Sequence, residues 1–93
     1  MNRLIASNTV FLSPSDEASF FARVKDLQCV LGVKGEGRSI VITLRRAPTE
    51  IELRELIAVF FRYHVDLKQL AQFSEHEAWL KDTRGYWYRG MFE

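Results

Sequence analysis

Residues 39–45, Ser-Ile-Val-Ile-Thr-Leu-Arg, carry apolar side chains on both alternating sets, and this constrains the fold more than any other stretch. Ile40, Ile42 and Leu44 form one set; Val41 and Thr43 form the other. A β-branched strand that is apolar on both sides is usually covered on both sides. Pro48 cannot donate to a ladder and restricts Ala47 to extended geometry, so the strand should stop near Arg46. Thr49-Glu50-Ile51-Glu52 then has the form of a capping box, with the Thr49 hydroxyl and the Glu52 carboxylate each accepting from the other's backbone N–H. Glu50, Glu52 and Glu55 set negative charge against the positive end of the helix dipole. Leu53, Leu56, Ile57, Phe60 and Phe61 follow at helical spacing, with Arg54, Glu55 and Arg62 mostly on the other side. Strand, break and helix over Ile40–His64 organise the rest of the chain.

Upstream, Leu4 and Ile5 read as a frayed start, followed by a short strand at about 8–12. Ser13-Pro14-Ser15-Asp16 opens a helix: Ser13 can cap, Pro14 suits the first helical position, and Asp16 stands where a capping-box acid belongs. Phe20, Phe21, Val24 and Leu27 continue it. The helix could run on through Leu31 to Gly32, but Cys29–Val33 also reads as a strand. Lys34-Gly35-Glu36-Gly37 has the composition of a hairpin turn. Because the strand at 39–45 needs a neighbour, the pattern predicts the hairpin.

Downstream, 65–73 can be a strand or a short helical turn, and is taken as a fourth strand. Ser74-Glu75-His76-Glu77 has the form of another capping box, with Phe73 placed as a staple on Ala78 and Gly85 as a stop. Tyr86–Phe92 is an aromatic tail of strand-like composition. The predicted order is β-α-β-β-α-β with an extra C-terminal helix and the aromatic tail. This is a small α+β two-layer sandwich of ferredoxin-like, split-βαβ order. The 93 residues suit one domain spanning 1–93.

Composition excludes more than it assigns. An apolar share of 47% with 27% charged residues is that of a folded globular domain, and a net charge of +1 leaves no overall electrostatic footprint for nucleic acid or an anionic membrane. Nine of the 13 basic residues are arginines, a composition suited to ion pairs and interfaces. Met1–Ala6 offers no apolar core for a signal peptide, and no run approaches the roughly 18 apolar residues of a membrane span. The expected location is cytoplasmic.

Five constellations could carry chemistry. His64 and Asp66 could form a histidine–carboxylate pair, although His64 also suits the last turn of a helix. Glu75-His76-Glu77 suggests metal binding, yet consecutive helical side chains point about 100° apart. Cys29, the only cysteine, sits among Leu27, Val30 and Leu31, the setting of an inert buried thiol. Lys34-Gly-Glu-Gly-Arg38 lacks the spacing of a phosphate loop. Arg38, Arg45 and Arg46 with the aromatic tail could bind single strands, but the strand Ser39–Leu44 lacks the base-stacking aromatics of RNA-binding sheets. No cofactor motif emerges.

The expected function is therefore non-catalytic, working through protein–protein contact as a homodimer or an accessory module. Nucleic-acid binding is the weaker alternative. The expected interface is the second sheet face, with Val30, Val41, Thr43 and Leu70, together with Tyr86, Trp87, Tyr88 and Arg89 of the tail. Either residues 74–92 or a second molecule should cover that face.

Overall fold

The computed structural model describes residues 3–7 and 9–93. Helix α2, Glu50–Arg62, starts where the sequence places it. The Thr49 hydroxyl accepts from the Glu52 N–H at 3.3 Å, and the Glu52 carboxylate accepts from the Thr49 N–H at 2.9 Å. Its far end is a Schellman turn. The Val65 N–H donates to the Phe60 carbonyl at 2.8 Å and the His64 N–H to Phe61 at 3.4 Å. Such a turn needs one left-handed residue, a position usually held by glycine. Here His64 takes it, with φ of 61°.

Strands β1 (Arg3–Ser7), β2 (Val30–Glu36) and β3 (Ser39–Leu44) form one antiparallel sheet in the order β1-β3-β2. Both outer strands pair antiparallel to β3, so they run parallel to each other, and α1 (Pro14–Lys25) is the connection between them. The hairpin over the helix extension is the arrangement found, turning at Gly37 with φ of 61°. At α1, Pro14 is the first helical residue and the Ser13 hydroxyl accepts from the Asp16 N–H at 3.2 Å.

Leu4, Ala6, Val30, Ile40, Ile42 and Leu44 join Phe20 and Val24 of α1 and Leu53, Leu56, Ile57 and Phe60 of α2 in one contiguous core. Phe11, Phe20 and Tyr63 close one end of it, with ring centroids 5.5–5.6 Å apart in each pair.

Several expectations are corrected. The first strand is Arg3–Ser7, where a frayed start was expected. Its buried Leu4 and Ala6 alternate with exposed Arg3, Ile5 and Ser7, the period of a half-buried strand. The strand expected at 8–12 is irregular over 9–12, and Asn8 lies outside the described residues. Val30 faces the core, opposite Leu44, because a bulge at Leu31 shifts the phase of β2.

The fourth strand at 65–73 does not form. Leu67–Glu75 is a 3-10 helix, η1, and buried Leu67, Leu70 and Phe73 recur every third residue, the period of that helix. A side chain supplies the missing ladder. Gln69 Oε1 accepts from the Ile5 N–H at 2.8 Å, and Gln69 Nε2 donates to the Ile5 carbonyl at 2.9 Å. The edge of β1 is thereby closed without a strand.

The helix expected after Ser74 is a single 3-10 turn, η2 (Ala78–Lys81), without a side-chain cap. Ser74 lies inside η1 and cannot cap, while Glu77 instead accepts from the Trp79 indole N–H at 2.6 Å. The tail is not extended either. Tyr88–Phe92 forms a short helix, α3, packed on η1 and η2.

Candidate protein-interaction surface

The second sheet face is where Val41 and Thr43 point, as expected, with Ile5 and Lys34 directly beside Val41 in register. Residues 74–92 do not cover it; they pack against η1 and α2 instead. Val41 is nevertheless only 8% exposed and stands apart from the main core. Cross-strand neighbours on a twisted sheet screen a central β-branched side chain in this way.

Leu70 and Trp87, expected at the interface, belong to the core. Leu70 is fully buried, and the Trp87 indole N–H donates to the Leu80 carbonyl at 2.8 Å. Gly85 lies flat against the Trp87 ring, and a Cβ there would come within 2.5 Å of it. Tyr88 is half-buried against Phe92, whereas Arg89 is exposed.

The exposed aromatic surface lies on the helical side. α2 is flanked by α1, through the ion pair Arg23–Glu55 at 2.9 Å, and by the C-terminal segment. On that second flank the Arg54 guanidinium lies 4.0 Å above the Trp79 ring and also pairs with Glu50 at 2.9 Å. A file of edge-on aromatic contacts runs outward from Trp79 to Trp87, Tyr86 and Phe61, the last two 5.0 Å apart.

Phe61 was expected to pack inward. Successive helical residues are rotated by about 100°, so Phe60 takes the core and Phe61 reaches the surface. It is 50% exposed and Tyr86 53%. Together with Arg23, Ala58 and Arg62 they line a recess of about 460 Å³.

Arg62 is also a wall of a second cleft, of about 330 Å³, lined by Val10, Leu12, Asp16, Tyr63 and His64. The segment 10–12 is irregular, with a bend at Leu12. Phe11 turns in against Phe20 and Tyr63, leaving Val10 75% and Leu12 91% exposed. Val10, Leu12 and Ala58 were not foreseen as surface residues, and Arg62 was foreseen on the polar face of its helix but not as part of a site. The signals available were the inward Phe11 between two apolar neighbours and the 100° offset between Phe60 and Phe61.

The other candidate sites are occupied by structural tasks. The Asp66 carboxylate accepts from the Lys68 N–H at 2.9 Å and caps η1; no hydrogen bond joins it to His64. Glu52 accepts from Arg46 at 2.7 and 2.9 Å, from the Cys29 N–H at 3.1 Å and from Thr49. The Arg46 guanidinium, with the Thr49 N–H adding to it, holds the Glu52 carboxyl down at about 2. Burial first, and the adjacent Glu52 second, push the Cys29 thiol up to about 11, so it is protonated and unreactive near neutral pH. No group of three metal-ligating side chains converges among the described residues.

The arginines considered for nucleic acid are dispersed. Arg38 precedes the six-residue β3 and Arg45 and Arg46 follow it, a separation of roughly 20 Å. Arg46 is held by Glu52, Arg45 donates to the Val30 carbonyl, and Arg84 pairs with Asp82. Among the described residues no helix is long and apolar enough to cross a membrane. No protein-family model, curated protein or solved structure matches this chain.

Proposed function

We propose that this is a non-catalytic domain that acts through protein–protein contact made by its helical side. One observation carries the reading: Phe61 and Tyr86, each about half exposed and edge-on to one another, line a recess together with Arg23, Ala58 and Arg62. Aromatic residues and arginine dominate the binding energy of protein interfaces, most of all where they border a pocket that a partner side chain can fill. Rigid support adds to the argument. Tyr86 is backed by Trp87, which is bonded to Leu80, so little side-chain freedom remains to be lost on binding.

The same reading places the protein in the cytoplasm, where a free thiol such as Cys29 stays reduced. For the fold, we retain the ferredoxin-like description only for β1-α1-β2-β3-α2, since η1 stands where a fourth strand would be.

The test is the native size of the protein in extract. The wild-type chain should elute well above its 10.9 kDa monomer. Phe61→Ser with Tyr86→Ser should return it to the monomer position, a loss of about thirtyfold or more in affinity, while the chain stays folded with a melting temperature lower by several degrees for the two lost aromatic contacts. Identical elution of wild type and double variant would refute the proposal.

A further inference from the structure

We infer that the outer edge of β2 takes an extended peptide of another protein as a fourth strand, a site independent of the aromatic recess. The sheet closes only one of its two edges. Gln69 covers β1, whereas among the described residues no strand or side chain bonds to the outer side of β2 over Gly32–Glu36. The register says which groups stand free there. Glu36 and Ser39 flank a two-residue turn, so they form a hydrogen-bonded pair. Such pairs alternate along an antiparallel ladder, so Lys34–Val41 and Gly32–Thr43 are bonded as well. The backbone N–H and C=O groups of Val33 and Gly35 therefore point away from β3. Two residues apart on an extended strand, they are the template that an added strand completes.

Gly35 points to the same use. Its φ is not positive and a Cβ there would meet nothing within 4 Å, so neither backbone nor packing requires a glycine. A glycine inside a strand often marks a bulge or the close approach of another backbone, and the bulge of β2 lies at Leu31. Gly35 stands opposite Ile40, a core residue, so the side chain it lacks belongs to the helical side. On that side it lines a cleft of about 450 Å³ with Phe11, Phe21, Ile40, Glu17 and Arg38. The residue of an added strand directly opposite Gly35 sets its own side chain beside this cleft.

Lys34 selects the occupant. It shares the other face of the sheet with Val41 and makes no ion pair among the described residues. Two copies of β2 pairing antiparallel through Val33 and Gly35 would set Lys34 against Lys34, and like charges directly opposite repel. A carboxylate in that place attracts instead. The occupant is therefore a strand of a different chain, with a large apolar residue opposite Gly35 and an acidic one opposite Lys34.

The peptide acetyl-Ser-Thr-Phe-Glu-Val-Thr-Ser-amide carries these residues in antiparallel order and is the probe. Titrated into isotope-labelled protein and followed by amide chemical shifts, it should bind with a Kd of about 100 µM, a transient contact too weak to add to the protein's size in dilute extract. The amides of Val33 and Gly35 should exchange freely beforehand and gain protection on binding, while those of Lys34 and Glu36 are protected throughout. Gly35→Val should melt at or above wild type, since a β-branched residue replaces a strand glycine whose surroundings are open. It should nevertheless bind the probe about tenfold more weakly, because its side chain takes the anchor's place. Lys34→Glu should weaken binding about fivefold and recover it when the probe's Glu is replaced by Lys. No binding up to about 2 mM probe, shifts confined to residues outside β2, or a Gly35→Val protein that binds as wild type would each overturn the inference.

Discussion

Trp87→Ala is expected to cost about 3–5 kcal/mol of folding stability, the range for removing a buried indole. The ring contacts Trp79 and Tyr86 edge-on, lies under Gly85, and donates its N–H to the Leu80 carbonyl. Deletion therefore opens a cavity and leaves a shielded carbonyl without its donor, and these penalties add. For a domain of 93 residues this is a large part of the whole stability. Trp87→Phe should recover much of the packing but not the hydrogen bond, and so fall between the two. Urea unfolding followed by far-ultraviolet circular dichroism measures both. If Trp87 served an interface instead, the alanine variant would keep the monomer's stability and change only its association.

The second large effect is pH-dependent. Glu52 ties three segments together: Arg46 after β3, Cys29 before β2, and the first turn of α2. Its carboxyl is held at about 2 against an ordinary 4.5, chiefly by Arg46 and then by Thr49. A carboxyl depressed on folding stabilises the folded state in full above its unfolded value and loses that contribution as pH falls towards its folded value. Glu52→Gln should therefore cost about 2 kcal/mol at pH 7, a figure reduced for the solvent exposure of Arg46. The difference from wild type should shrink steadily as pH drops from about 4.5 to about 2. Equal destabilisation at both ends of that window would show that the charge of Glu52 contributes little.

Much of the fold was legible because its local signals are short-range. The Thr49–Glu52 box, Pro14 behind Ser13, and Gly37 at a left-handed turn each specify backbone geometry within four residues. What escaped depends on periods and partners. Leu67, Leu70 and Phe73 are compatible with several reading frames, and only their three-residue spacing distinguishes a 3-10 helix from a strand. The bulge at Leu31 inverts the face assigned to Val30, and the signal for it was Gly32, since a glycine inside a strand often marks a bulge. The tail was read by composition, yet Tyr86 and Trp87 are placed by contacts with Phe61, Trp79 and Leu80.

For the candidate surface, the residue classes were legible and the location was not. Arginine and aromatic content pointed to an interface, and of the tail's aromatics Tyr86 is the exposed one. The sheet face drew attention because Val41 and Thr43 are apolar or β-branched. Cross-strand neighbours, unknown before pairing is fixed, screen Val41. Meanwhile Phe61 and Leu12 each lie beside an aromatic that does face inward, Phe60 and Phe11, and were grouped with it.

Site-specific photo-crosslinking tests the central claim most directly. Benzoylphenylalanine at position 61 would stand at the recess, and at position 5 it would stand on the sheet face, both being exposed positions. Irradiation in native extract should give a discrete protein adduct from position 61 and none from position 5. An adduct from position 5 alone, or none from position 61, would contradict the assignment of the working surface to the helical side.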